Sequence, residues 1–191
     1  RVFVGRGSSG VRGIKLKPND YVVSMSLISR LEKSSSPIEL SEIDIHNAIE
    51  DAMRHVDLIV KNHKGKIISC LDAKQTLSKG NLNHFTNLIV NLLDNAVKYS
   101  KGSPQITISS YNEAKKIFLK ISDEGIGMDI NTQKQIFEKF FRKQSGNIHN
   151  VKGHGLGLSY VKKIVELHDG DIKLTSKIGE GTTFIISVPL L

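Results

Sequence analysis

Residues 82–100 read LNHFTNLIVNLLDNAVKYS, and this stretch decides the fold. Phe85, Leu88, Ile89, Leu92, Leu93, Ala96 and Val97 recur at steps of three and four, which predicts a helix with one continuous core-facing stripe. Asn91, Asn95 and Lys98 follow the same spacing on the shoulder of that stripe, since successive residues turn by about 100°. A shoulder stripe lets a helix line a pocket while its neighbouring face stays packed. An Asn carbonyl oxygen is a neutral ligand suited to Mg2+, and a Lys ammonium is a point charge suited to phosphate. Either Asn alone reads as surface; the segment as a whole reads as a site.

Upstream of this helix, HNAIEDAMRHVDLIVKNHK is helical, with Ile49, Ala52, Met53 and Val56 at helical spacing. IELSEIDI before it and GKIISCL after it read as strands. Downstream, QITISSY and KKIFLKIS are strands joined by Asn112, Glu113 and Ala114. A helix is expected to open at Asp129, an N-cap, and to run through TQKQIFEKFF. Residues 143–152, KQSGNIHNVK, lack periodicity and read as a lid. LGLSYVKKIVELH is a helix stopped at Gly170, and DIKLTSKIG with GTTFIISVPLL closes the chain as a hairpin. This order predicts a two-layer α/β sandwich, a mixed sheet covered on one face by helices.

The N-terminal texture differs. Residues 1–28 are β-rich and Gly-punctuated, and the SSSP of residues 34–37 ends a linker over 29–37, leaving 38–191 as the main domain. The chain has 191 residues, 39% apolar and 24% charged, which suits a globular protein and excludes a disordered one. No apolar run approaches the roughly 18 residues of a membrane span, and no leader opens the chain. A single Cys, Cys70, excludes an internal disulfide and a Cys-based zinc site, so a reducing, cytoplasmic setting is expected. The net charge of +8 is uneven: the first 36 residues carry seven Lys/Arg against two Asp/Glu, the remaining 155 carry twenty against seventeen. The body is therefore only mildly cationic. A DNA-binding module, if present, would have to rest on the N-terminal piece.

Three glycine patterns need separating. Gly5, Gly7 and Gly10 satisfy G-x-G-x-x-G, but Gly13 and Pro18 break the helix that a dinucleotide fingerprint requires, so the pattern reads as a turn. No G-x-x-x-x-G-K-[ST] occurs, which excludes a P-loop. Asp123 ends a strand and leads into Gly125 and Gly127; an ionised Asp only accepts hydrogen bonds and so suits an exocyclic amine such as that of adenine. Gly153, Gly155 and Gly157 precede a helix, where backbone N–H groups and the helix dipole favour phosphate.

NLLDNAVKYS, DEGIGM, IFEKFFR, GHGLGLSYVKKIVELHDG and GEGTTF stand in the order of the N box, first glycine box, F box, second glycine box and third glycine box of bacterial sensor histidine kinases. Residues 38–191 thus resemble the catalytic ATP-binding domain of that family, within the superfamily shared with gyrase B, Hsp90 and MutL. The resemblance implies a Bergerat-type fold holding ATP and Mg2+. It assigns Asn95, with Asn91 beside it, to the metal, and Lys98 and Tyr99 to the phosphates and nucleotide. Asp123 would bind the adenine amine in a pocket shaped by Gly125 and Gly127, and Arg142 would reach the γ-phosphate. Gly153, Gly155, Leu156 and Gly157 would form the lid base, and Thr182 and Thr183 the edge of the base pocket.

Asn91 stands where ATP-hydrolysing members carry a Glu general base, so the resemblance implies phosphoryl transfer in preference to hydrolysis. The rival within the superfamily is a hydrolysing conformational switch. The family's phosphoacceptor His, followed by an acidic residue and Pro, matches none of the seven His here. The implied partners are therefore a dimerisation and phosphoacceptor domain of the parent kinase and, indirectly, a response regulator, with the parent anchored in a membrane. Residues 1–27 resemble a blade of the gyrase A C-terminal β-pinwheel, and a lone blade cannot bury its own faces.

Overall fold

The computed structural model describes residues 39–142 and 155–191. The β-rich piece, its gyrase A resemblance, most of the linker, the lid over 143–152 and Gly153 lie outside the described residues. Chain order within them runs β1 (Ser41–Asp44), α1 (Ile45–Asn62), β2 (Lys66–Leu71), β3 (Leu77–Gly80), α2 (Leu82–Lys98), β4 (Gln105–Glu113), β5 (Lys116–Asp123), α3 (Ile130–Gln135), α4 (Gly157–Leu167), β6 (Asp171–Lys177) and β7 (Gly181–Pro189).

Five strands form one mixed sheet in the order β2-β4-β5-β7-β6, parallel at β2–β4 and antiparallel elsewhere. β1 and β3 pair antiparallel as a separate ribbon. Strand alternation sends Ile106, Ile108, Ile117, Leu119, Ile121, Phe184 and Ile186 to the helix side, where all are buried. On the other face Tyr111 and Phe118 stack with centroids 4.9 Å apart, and Tyr111 and Ile68 remain exposed. The expected two-layer sandwich, helices on one face only, is what forms.

α1 and α2 start on side-chain caps. Asp44 accepts the N–H groups of His46 (2.7 Å) and Asn47 (3.4 Å), and Asn81 accepts that of His84 (3.1 Å). The α2 stripe is buried as its spacing predicts: Phe85, Leu88, Ile89, Leu92 and Leu93 are almost fully enclosed, each worth roughly 1.5–3 kcal/mol relative to exposure. His168, the C-cap of α4, is also buried. Its Nδ1–H donates to the Ile164 carbonyl at 2.7 Å, and its Nε2 accepts the Asn81 N–H at 3.1 Å. Two bonds thus hold the neutral Nδ1–H tautomer and tie the end of α4 to the start of α2. No helix among the described residues is long and apolar enough to cross a membrane.

Two sequence expectations are corrected, and one strand is added. The helix opening at Asp129 stops at Gln135 instead of continuing through Phe141. Phe140 adopts φ 64°, which no helix admits, and its N–H turns away to the Gly155 carbonyl at 2.9 Å. The β4–β5 connection is shorter than expected. Asn112 and Glu113 stay in the ladder opposite Ile117 and Lys116, leaving Ala114-Lys115 as a two-residue loop. Asn112 Oδ1 is held by the N–H groups of Lys74 (2.7 Å) and Gln75 (2.9 Å), which stabilises the extended path. β3 was not anticipated: LSKG is short, contains Gly and alternates only across Leu77, Ser78, Lys79 and Gly80.

Candidate functional site

The sheet delivers Asp123 to the end of β5, on its helix-facing side. There its Oδ1 accepts the Gly125 N–H at 2.8 Å, and Thr182 is its register partner on β7. Burial pushes the Asp123 carboxyl up from its ordinary value, and the backbone N–H groups of Gly125 and Thr182 pull it back. A partly buried carboxylate with its free edge toward a cleft is a strong, acceptor-only group.

That cleft has a volume of about 270 Å³ and runs from Ala96 and Ser100 at the end of α2 to Asp123, Glu124 and Gly125, with Lys101 and Gln105 on its walls. A second, more open cleft of about 290 Å³ lies on the other side of Asp123, against Ser176, Lys177, Glu180 and Thr182. Asp123 is common to both.

The loop after Asp123 is threaded between two backbones. On one side the Ile126 N–H donates to the Tyr99 carbonyl at 2.9 Å, and a Cβ on Gly125 would lie 2.6 Å from that same oxygen. On the other, Gly127 has φ 66° and a Cβ there would meet the Lys177 carbonyl oxygen at 1.9 Å. Gly181, at φ 99°, approaches the Asp123 carbonyl as closely. The Gly179 N–H closes the contact by donating to Ile126 O at 2.8 Å. Glycine is required at both positive-φ positions, because an L side chain would meet backbone there.

Higher on α2, Asn91 donates its Nδ2 to the Asn87 carbonyl at 2.7 Å, so its Oδ1 is the atom presented outward. That oxygen faces Gly157, where a Cβ would come within 2.8 Å of it. Asn95 is half-buried one turn on, and Lys98 pairs with Asp94. Gly155 lies against Phe140 and Phe141, Leu156 is buried as the cap of α4, and Arg142 is exposed.

The chain matches the family described as histidine kinase-, DNA gyrase B- and HSP90-like ATPases over residues 80–191. It belongs to that family. Among relatives of this ATPase domain, the sensor protein RprX of Bacteroides fragilis is 39% identical over 186 residues, covering 96% of this chain and 36% of its own length. The chain therefore spans little more than a third of that relative. Of solved structures, a mycobacterial sensor histidine kinase, MprB, superposes with a TM-score of 0.67 at 23% identity, over 80% of this chain and 98% of that one. Histidine kinase ThkA in complex with response regulator protein TrrA superposes with a TM-score of 0.68 at 20% identity, over 86% of this chain and 46% of the other. These two show the fold.

The ATPase domain brings the predicted residues into two groups. Asp123, Gly125, Gly127, Tyr99 and Thr182 surround the Asp123 loop, whereas Asn91 meets Gly157 at the head of α4. Tyr99 contributes its carbonyl; the residue itself is 43% exposed. Thr183 points the other way: its Oγ1 donates to Ser122 Oγ at 3.0 Å on the uncovered face, as strand alternation requires after Thr182. Sequence reasoning missed Ser176 and Gln133. Ser176 Oγ accepts the Met128 N–H at 2.8 Å, lies 2.9 Å from Thr182 Oγ1 and donates to Gly181 O at 2.8 Å. The one available signal was the helix-side period of β6, Ile172, Leu174, Ser176, ending on a hydroxyl opposite Thr182.

Proposed function

We propose that this domain binds ATP with Mg2+ and presents the γ-phosphate to a histidine on the dimerisation and phosphoacceptor domain of a parent sensor kinase, a response regulator standing downstream. The observation that carries the reading is Asp123: a partly buried carboxylate at the junction of two clefts, its loop held by backbone on both sides. Asp123 fixes the base by accepting from its amine, and the glycine backbone lets a flat ring lie close. Asn91 and Asn95 fit a hard cation, because Asn91 turns its amide N–H inward to Asn87 and leaves a neutral oxygen outward. Bound there, Mg2+ would supply positive charge against the phosphate oxygens. The start of α4 at Gly157, with no side-chain cap, offers N–H groups to phosphate, and Lys98, which pairs with Asp94, and Arg142 would add positive charge.

Transfer is favoured over hydrolysis by the chemistry of Asn91. An amide is too weak a base to take a proton from water, so the arrangement positions phosphate without activating a competing nucleophile. We assign the catalytic domain to residues 38–191, with 1–28 as an appendage, and place it in the cytoplasm, where ATP is. In the test, the chain is mixed with radiolabelled ATP, Mg2+ and the separately produced acceptor domain of its parent kinase. Acid-labile label is expected on the acceptor and on none of the chain's own seven His. Steady release of inorganic phosphate without an acceptor would establish the hydrolysing switch instead.

A further inference from the structure

Gln133 sits half-buried on α3, and its Nε2 lies 2.9 Å from the Met128 carbonyl and 2.9 Å from the Ser176 carbonyl. Both acceptors are carbonyls, so the amide must present NH2 there and both of its hydrogens are used. Ser176 completes the grip. Its single hydroxyl hydrogen goes to Gly181 O, so its lone pairs receive the Met128 N–H and the Thr182 hydroxyl. Met128 is thereby held at its N–H by Ser176 and at its C=O by Gln133. Thr182 is in turn the register partner of Asp123 on the neighbouring strand. One connected set of strand-register and hydrogen-bond contacts runs from Asp123 through β7 and β6 to α3.

α3 is anchored at both ends as well. Asp129 caps it through the Thr132 N–H at 2.8 Å, and Ile136 is buried just beyond it. Phe137 meets Phe184 of β7 edge-on at 6.5 Å, and Phe140 then donates its N–H to Gly155. Residues 128, 133 and 137 thus fasten the chain that follows Asp123 to the sheet.

We propose that Gln133 is a positioning residue for nucleobase recognition: its bidentate amide fixes the Asp123–Met128 loop against β6, so that Asp123 presents its carboxylate in one orientation. This rests on the reading of the cleft as a nucleotide site. Gln133 itself touches neither base nor phosphate. Its removal is therefore expected to weaken contacts made through the base and to spare those made through the phosphates.

The full chain is compared with Gln133→Met, which keeps the side-chain volume and removes both donors, and with Gln133→Glu, which sets an acceptor against two carbonyls. Calorimetry with Mg2+ gives the affinity for ADP and for inorganic tripolyphosphate, alongside the thermal midpoint. ADP affinity is expected to fall about tenfold in Gln133→Met, the scale of one to two lost hydrogen bonds, with tripolyphosphate unchanged within about twofold. Gln133→Glu is expected to fall at least as far for ADP. A lowered midpoint with ADP affinity unchanged, or an equal loss for ADP and tripolyphosphate in Gln133→Met, overturns the proposal and leaves the nucleotide reading standing. A wild-type chain that does not bind ADP overturns both.

Discussion

Gly127→Ala is the sharpest probe of how the loop after Asp123 is seated. An added Cβ would lie 1.9 Å from the Lys177 carbonyl oxygen and 2.6 Å from its carbon, whereas ordinary contact begins near 3.4 Å. The loop and the β6–β7 turn must separate by about 1.5 Å, and neither contact is with a side chain that can swing away. Such a shift breaks the bond from Gly179 N–H to Ile126 O, now 2.8 Å, and that from Met128 N–H to Ser176, also 2.8 Å. Two such bonds contribute roughly 1 kcal/mol each, and holding Ala in the left-handed region at φ 66° costs about 1–2 kcal/mol more. The total is about 3–4 kcal/mol. If the loop stays docked, the thermal midpoint should fall by roughly 10 °C for a domain of this size. If it lifts off, the midpoint falls less and ADP affinity should drop about a hundredfold, since binding must then re-close it. Differential scanning fluorimetry and calorimetry on the same sample separate the two. Gly102, with nothing within 4 Å of a Cβ, is the control for stability. A Gly127→Ala chain with unaltered midpoint and unaltered ADP affinity would refute the reasoning.

Asp123→Asn should weaken ADP by about ten- to a hundredfold through loss of a charged acceptor while sparing tripolyphosphate, as calorimetry would show; equal loss for both would remove Asp123 from base recognition. Ala114→Gly should raise stability by about 0.5–1 kcal/mol in urea, because Ala114 occupies φ 51° in the β4–β5 loop. Thr86→Val should be neutral to stabilising by up to about 1 kcal/mol, as Thr86 Oγ1 is buried without a hydrogen-bond partner. Burial lowers the pKa of His168, against opposing contributions from the Ile164 carbonyl and Asp169, and burial also lowers that of His84. The unfolded chain therefore binds more protons than the folded one below about pH 6.5, so stability should fall as pH drops through that region. His168→Phe should flatten part of that slope in urea titrations taken from about pH 7.5 to about pH 5, with His84 supplying the remainder.

Where periodicity and capping are local, the sequence was sufficient. The α2 stripe from Phe85 to Val97, the Asp129 cap and the closing hairpin could be read directly, because one face of each is buried and the pattern repeats. Asp123 and its glycines were also legible, since Gly125 and Gly127 flag a close backbone approach. What approaches them was not: the Lys177 carbonyl and Tyr99 carbonyl are main-chain atoms about 50 residues downstream and two dozen upstream, and main chain leaves no trace in residue identity. The two threonines divide for a related reason. A strand puts adjacent side chains on opposite faces, so the Thr183 hydroxyl turns to Ser122 while both residues line the more open cleft beside Asp123. The early end of α3 depends on a bond between Phe140 and Gly155, which no window of sequence contains. Gln133 escaped notice because a Gln on a short helix has no pattern until both carbonyls are in place.

The loop after Asp123 is pinned between main-chain atoms on both sides, so it has few ways to change shape. Replacing Gly127 or Gly181 drives a Cβ into a carbonyl, so change at this end falls on the side chains that line the clefts, Asp123, Ser176, Thr182 and Lys101 among them. A ligand fitted against this loop would meet few escape mutations in the loop backbone. Resistance would have to arise among the lining side chains or away from the cleft.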